Sequence, residues 1–154
     1  MNVKEHLAER GISYDVIHHP AQERAVDVAV VVQAPPHVVA KTVLLKADGG
    51  FCYVAAVVPS HCVVDLEKAS QALGGSKIEL ASPEEATIQC PDCEGGVVSP
   101  FGSQYNLKTL IDDNLAQEEF VLFLGNTRDE TFRVRLQDYL DVENPLVVSL
   151  TSNR

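Results

Sequence analysis

The apolar positions of the chain switch between a helical and an alternating period, and each switch marks a short element. Residues 2–10 place Val3 and Leu7 on one face, with Ala8 beside them, and Gly11 stops the helix. Ile12, Tyr14 and Val16 then alternate with Ser13, Asp15 and Ile17, which predicts a half-buried strand ended by His18-His19-Pro20. The valines between Ala21 and Gln33 suit a strand by propensity. Ala25, Val28, Ala29 and Val32 nevertheless share one helical face and Pro35-Pro36 supplies a stop, so a helix is expected, with Pro36 starting a further turn that reaches Val39. Lys41 to Leu45 and Phe51 to Val58 are apolar at nearly every position, as in central strands covered on both faces, and Asp48-Gly49 between them is a hairpin signal.

The second half of the chain continues the mixture. Asp65 caps a helix with Leu66, Ala69 and Leu73 inward and Gly74-Gly75 at its end. Lys77 to Leu80 alternates as a strand, Ser82-Pro83-Glu84-Glu85 is a capping box with proline at the first helical position, and Cys90-Pro91 stops that helix. Strands are expected at Leu107 to Ile111, Phe120 to Leu124 and Thr131 to Arg135, then a helical turn at Gln137 to Leu140. From Asn144 onward the valines look strand-like but have no evident partner. Strands outnumber helices, and hairpins mix with helical crossovers. The expected fold class is α/β, one domain with a mixed, curved sheet.

Composition narrows the function. A chain of 154 residues, 45% hydrophobic, suits one globular domain. No apolar run reaches the ~18 residues of a membrane span, and the polar start has no signal-peptide core, so a cytoplasmic protein without a membrane partner is expected. Lys and Arg number 12 against 22 Asp and Glu, a net charge of −10. That charge argues against a protein that coats DNA or RNA, because phosphate neutralisation dominates such binding. Gripping the end of an RNA needs only a few local cations and stays open.

Common catalytic signatures are missing: no Gly-x-Ser-x-Gly, P-loop, dinucleotide fingerprint or His-Glu-x-x-His occurs. Ser99, His61 and Asp65 contain the residue types of a triad, but nothing in their spacing selects one. Cys90-Pro91-Asp92-Cys93 can be read as half a zinc site, a redox dithiol or two reduced thiols. Zinc needs two more ligands, for which His61-Cys62 is the nearby candidate set. Two stretches remain. Gly95-Gly96-Val97-Val98-Ser99-Pro100-Phe101-Gly102 has three glycines and one polar side chain, so it offers backbone N–H groups to an anion or oxyanion, or else forms a tight structural loop. Lys41 opens an apolar strand, either as a solvated strand-end lysine or as a partly desolvated cation that pulls on an anion or carbonyl. Lys46, near the other strand end, is its comparison.

Ala40-Lys41-Thr42 before a central strand, and Gly96 to Gly102 as Gly-x-x-Ser-Pro-Phe-Gly, resemble the YbaK-like aminoacyl-tRNA editing domains. That family includes the insertion domain of bacterial prolyl-tRNA synthetases and its free-standing relatives. Val58-Pro59 with His61 and Asp65-Leu66, Pro91-Asp92-Cys93-Glu94, and Gly125-Asn126-Thr127 extend the resemblance from about Asn2 to Leu140. It implies a single editing-like domain over 1–154, with a core of about 2–140, built as a mixed β-barrel flanked by helices. The implied reaction is hydrolysis of the ester joining a wrong small amino acid, such as alanine, cysteine, serine or threonine, to the 3′ end of a tRNA. Lys41 would hold the terminal phosphate or ribose and polarise the ester. Gly96, Val97 and Gly102 would line the oxyanion and amino-acid pocket. The resemblance also assigns His19, Thr42, His61, Ser99, Pro100, Phe101, Asn126 and Thr127 to substrate binding, without metal or cofactor. The partner is the aminoacyl end of tRNA, with a synthetase as a companion. A non-catalytic tRNA- or nucleotide-binding module of the same fold is the alternative. One departure stands out: many relatives carry histidine after Gly-Asn-Thr, where this chain has Arg128.

Overall fold

The computed structural model describes residues 2–50 and 52–152. Among them five helices and eight strands run in the order α1 (Val3–Glu9), β1 (Tyr14–His18), α2 (Ala25–Val31), β2 (Ala40–Ala47), β3 (Cys52–Pro59), α3 (Leu66–Ala72), β4 (Ile78–Leu80), α4 (Pro83–Gln89), β5 (Lys108–Asp112), β6 (Phe120–Leu124), β7 (Glu130–Arg135), α5 (Leu136–Glu143) and β8 (Leu146–Val148). Phe51, expected to open β3, lies outside the described residues, as do Met1, Asn153 and Arg154.

The strands form two sheets. In one, β7 lies between β1 and β6 and is antiparallel to both. In the other, ordered β4-β2-β3-β5-β8, the first three strands are antiparallel neighbours while β3, β5 and β8 run parallel. A parallel bridge between Val39 and Leu122 joins the two sheets, so the mixed α/β domain curves as expected. No helix among the described residues is long and apolar enough to cross a membrane.

The continuous apolar pattern of β2 and β3 follows from burial on both faces. Val57 packs between the sheets with Phe123 and Phe132, while its neighbours Ala56 and Val58 turn to Leu45, Leu110 and Ala69 of α3. The hairpin joining these strands pairs Ala47 with Cys52, and its turn needs the positive φ that Asp48 (53°) and Gly49 (74°) adopt. Asn2 caps α1 and Ser82 caps α4, each in a reciprocal box with a glutamate three residues on.

Four expectations need correction. Ile12 is not in β1, because its N–H donates to Leu7 O at 3.0 Å and closes α1 instead. The inward face of α1 includes His6 rather than Ala8. The His6 ring lies edge-on to Phe101 at 4.9 Å, and burial lowers its pKa. The segment after Asn144 does have a partner. β8 pairs in parallel with β5, Leu150 is fully buried, and buried Asp112 accepts the Leu150 N–H at 2.9 Å. The helical turn expected near 137–140 is likewise the full helix α5, whose buried face is Leu136, Tyr139 and Glu143. A charged residue on that face hides its period from a hydrophobic pattern.

Candidate active site

A cavity of about 470 Å³ opens where β2 lacks a neighbour. On its outer side β2 pairs with β4 only from Leu45 to Ala47, and the Val39–Leu122 bridge closes the other end. Between them, Ala40 to Val43 present a strand edge that lines the cavity. Leu44 O accepts from Ala81 N on that side at 3.0 Å. Alternation along the strand therefore turns the Thr42 N–H and C=O to the same open side. Residues of α2, the end of β6, the Ser60–Val63 turn and the glycine loop supply the remaining walls. Ser60 fixes its turn with two bonds, from N to Val39 O and from Oγ to Pro36 O, each 2.7 Å.

Lys41 is half-buried in this wall, and burial lowers its pKa, with Cys62 pulling weakly the other way. Among the described residues it belongs to no ion pair. Lys46, by contrast, is paired with Glu85 at 3.3 Å and lies outside the cavity lining. Glu85 is held down to about 2, first by the Tyr53 hydroxyl and then by the Ser82 backbone, with Lys46 contributing less. The two strand-end lysines thus differ in kind: one is committed to a carboxylate, the other is presented to a cavity.

The glycine loop contributes Gly96, Val97, Val98 and Pro100 to the lining. Gly96 has φ +84°, a conformation that L side chains rarely adopt, and a Cβ there would sit 2.9 Å from Arg128 Nη2. Val97 N–H is already used, donating to Glu94 O at 2.9 Å. Among the described residues the Gly96 and Val98 N–H groups form no hydrogen bond, so they are the loop's uncommitted donors in the lining. Alanine at Gly96 is expected to cost about 1–2 kcal/mol of left-handed strain and to push Arg128 off the loop. A Tm fall of about 4 °C, read by calorimetry, checks this. The neighbouring Gly95→Ala, which meets nothing within 4 Å, should leave the Tm unchanged.

Lys41, Thr42, His61, Gly96, Val97 and Pro100 meet at the cavity, and the other expected site residues lie elsewhere. Gly102 packs against β5 and β3, where a Cβ would meet Thr109 Oγ1 at 2.5 Å and Ala55 Cβ at 3.2 Å. Ser99 is fully buried, and its Oγ accepts the Phe101 N–H at 3.1 Å. Phe101 is a core residue, its ring edge-on to Phe123 and Tyr139. The His19 Nε2 lies 2.7 Å from Thr131 Oγ1, away from the lining. Exposed Thr127 donates to Asp129 at 2.7 Å. Asn126 works as a tie: its Oδ1 accepts the Val3 N–H of α1 at 2.8 Å, and its backbone O accepts the Glu94 N–H at 2.7 Å. Asp65 caps α3, so no triad forms with Ser99 and His61.

Cys90 and Cys93 are buried beneath the loop, packed with Val97 and Val98. The neighbouring Cys93 thiol, and then burial, raise the Cys90 pKa, while Cys90 in turn lowers that of Cys93. His61 and Cys62 line the cavity instead, and among the described residues no three His, Cys, Asp or Glu side chains cluster as metal ligands. Two wall residues had no signal in the sequence: Glu23 and Arg24, which precede α2. Arg24 is committed to Asp27 at 2.9 Å. Only the packing of α2 onto β6 brings that segment to the cavity.

Residues 19–142 match the model of the aminoacyl-tRNA editing domain, which is most of the chain. The chain belongs to the aminoacyl-tRNA editing domain family. It is similar to a proline--tRNA ligase from Geobacillus sp. (strain WCH70), 27% identical over 135 residues, covering 82% of this chain and 23% of the ligase. It therefore spans about a quarter of that curated relative. Among solved structures, a candidate trans-editing enzyme for prolyl tRNA synthetase superposes with a TM-score of 0.78 at 24% identity, covering 98% of this chain and 95% of that one. The hypothetical protein APE2540 superposes with a TM-score of 0.87 at 16% identity, covering 97% and 99%. At these identities the likeness is one of fold.

Proposed function

We propose that this editing-family protein is a trans-acting aminoacyl-tRNA deacylase, hydrolysing the ester between a wrong small amino acid and the 3′-terminal ribose of a tRNA. The observation that carries this reading is the cavity itself. It combines an ammonium that is half desolvated and, among the described residues, in no ion pair with backbone N–H groups that the described residues leave uncommitted on a positive-φ glycine turn.

An aminoacyl ester is already activated, so no protein nucleophile is needed. Water adds to the carbonyl carbon and gives up a proton to solvent or to a neighbouring hydroxyl of the substrate. The tetrahedral oxyanion collapses, and the ribose oxygen leaves and takes up a proton. Lys41 draws electron density toward the ester oxygen, and the N–H groups of Gly96 and Val98 receive the developing charge. Each well-placed donor of this kind is worth roughly 3 kcal/mol, or about two orders of magnitude in rate. The apolar walls from Val28, Val39, Val97 and Phe123 suit a small side chain. The preferred amino acid is one of alanine, cysteine, serine and threonine, and the site of action is the cytoplasm, beside a synthetase. Incubation with tRNA(Pro) charged with alanine, cysteine or serine, and with alanyl-, seryl- and threonyl-tRNAs, tests the reading. Release of one amino acid well above background supports it. No release from any of them leaves the binding module of the same fold.

The pH profile follows from the burial of Lys41. If the charged ammonium polarises the ester, activity is present below its pKa and is lost as pH rises through it. Because desolvation lowers that pKa from its ordinary 10.5, the enzymatic rate, corrected for spontaneous hydrolysis, should fall before pH 10.5 is reached. Lys41→Arg, which stays charged, should shift that alkaline limb out of range. An unchanged limb in that variant would assign the titration to another group.

A further inference from the structure

The surroundings of Arg128 give it a role. The guanidinium lines the cavity, and its side chain is only 16% exposed. Nη2 donates to Gly95 O at 2.7 Å, which fixes the group against the glycine loop. Its other contacts are weak. Nη1 reaches Glu23 O at 3.4 Å, and Nε lies 3.9 Å from the Glu23 carboxylate. Glu23 is itself 86% exposed, so that pair is held loosely and screened by water. A guanidinium carries five N–H donors in a rigid fork that matches phosphate oxygens. Even counting the long contacts, two of the five remain uncommitted.

The charge around the cavity supports the same reading. The protein carries a net charge of −10. Of the three cations that the described residues place in the cavity wall, Arg24 is committed to Asp27, which leaves Lys41 and Arg128 facing Glu23, the single acidic wall residue among them. Glu23 can swing into solvent when an anion arrives. The site is thus a positively charged opening on an acidic molecule, and it is built for one anionic group rather than for a length of nucleic acid.

We propose that Arg128 is the phosphate-binding residue of this cavity. It takes the phosphodiester that precedes the aminoacylated 3′-terminal nucleoside of an RNA, which leaves Lys41 to the ester. This rests on the deacylase reading for its substrate, but its test needs no turnover.

The experiment compares binding of the dinucleoside monophosphate cytidylyl-(3′→5′)-adenosine with that of adenosine, which lacks the phosphodiester. NMR titration of wild type, Arg128→Gln, Arg128→Lys and Glu23→Gln reads both affinities and confirms that each variant is folded. Wild type should bind the dinucleoside at least tenfold more tightly than adenosine. Arg128→Gln should cut that preference to about twofold with adenosine binding unchanged, and Arg128→Lys should keep part of it. Glu23→Gln, which leaves the Arg128–Gly95 bond in place, should strengthen dinucleoside binding severalfold. The proposal is overturned if wild type shows no preference for the dinucleoside, or if Arg128→Gln leaves the preference intact. A parallel weakening of both ligands in Arg128→Gln also overturns it, because that is the signature of a residue that only braces the loop. Should these binding results hold while no charged tRNA is hydrolysed, the deacylase reading fails and the phosphate site stands.

Discussion

Replacing Lys41 by alanine is expected to slow hydrolysis of the charged tRNA that the proposed deacylase prefers at least tenfold, and to leave the melting temperature within about 2 °C of wild type. Both halves of this expectation come from the same environment. The ammonium is half desolvated and belongs to no ion pair among the described residues, so its charge is directed to whatever enters the cavity. Removing it orphans no buried carboxylate, which is what makes loss of one partner of a buried pair so damaging. A preorganised charge aimed at a developing oxyanion is worth roughly two orders of magnitude in rate, so tenfold is a conservative floor. Lys46→Ala is the matched comparison. It breaks the pair with Glu85 and should lower stability while leaving the rate untouched, because Lys46 does not reach the cavity. Single-turnover deacylation of both variants, beside their melting curves, separates the two roles. A Lys41→Ala rate within twofold of wild type would remove Lys41 from the chemistry.

Alanine at Gly102 is expected to damage stability strongly. Its Cβ would sit 2.5 Å from Thr109 Oγ1, with Ala55 and Leu107 each at 3.2 Å. The Thr109 hydroxyl cannot simply move aside, because it donates to buried Glu143 at 2.6 Å. Glu143 also accepts from the Ser103 N–H at 3.0 Å and the Ser103 hydroxyl at 2.7 Å. Overpacking of this kind costs about 1–3 kcal/mol, and losing a hydrogen bond to a charged group adds roughly 1.5–3 kcal/mol. The Tm should fall by about 10 °C, at roughly 2–4 °C per kcal/mol for a domain of this size. Thr109→Ala removes the clashing oxygen, so the double variant should be destabilised by less than the sum of the two single ones. Strict additivity would show that Thr109 is not what excludes a side chain at Gly102.

These two glycines show where sequence reading reaches its limit. Gly96 and Gly102 stand in one motif and look equivalent in it. Gly96 faces the cavity with a positive φ and Arg128 against it, whereas Gly102 is the point where the loop touches the sheet. The same division runs through the rest of the motif. Pro100 lines the cavity, while Ser99 and Phe101 beside it are core residues. A motif can persist for packing as readily as for chemistry, and only contacts distinguish the two. The Cys90–Cys93 pair gives a similar lesson. Its spacing suggests a ligand pair, yet the two buried thiols pack beneath the loop, apart from His61 and Cys62.

Local physics alone determined most of the elements: the capping boxes of α1 and α4, the Asp48-Gly49 turn, and the double-faced apolar pattern of β2 and β3. These depend on residues close in sequence, whose capping, φ preference and burial period are legible from their order. Tertiary structure decided the rest. It placed β8 on β5, because a short apolar strand carries no mark of which edge will receive it. It turned Glu143 inward to three donors, an arrangement that no hydrophobic period reports. It also made the site, by leaving the side of β2 away from β3 without a strand neighbour from Ala40 to Val43 and closing α2, the glycine loop and Arg128 around that gap. A missing strand partner is a property of the assembled sheet, set by long-range pairing, and no residue of β2 encodes it alone.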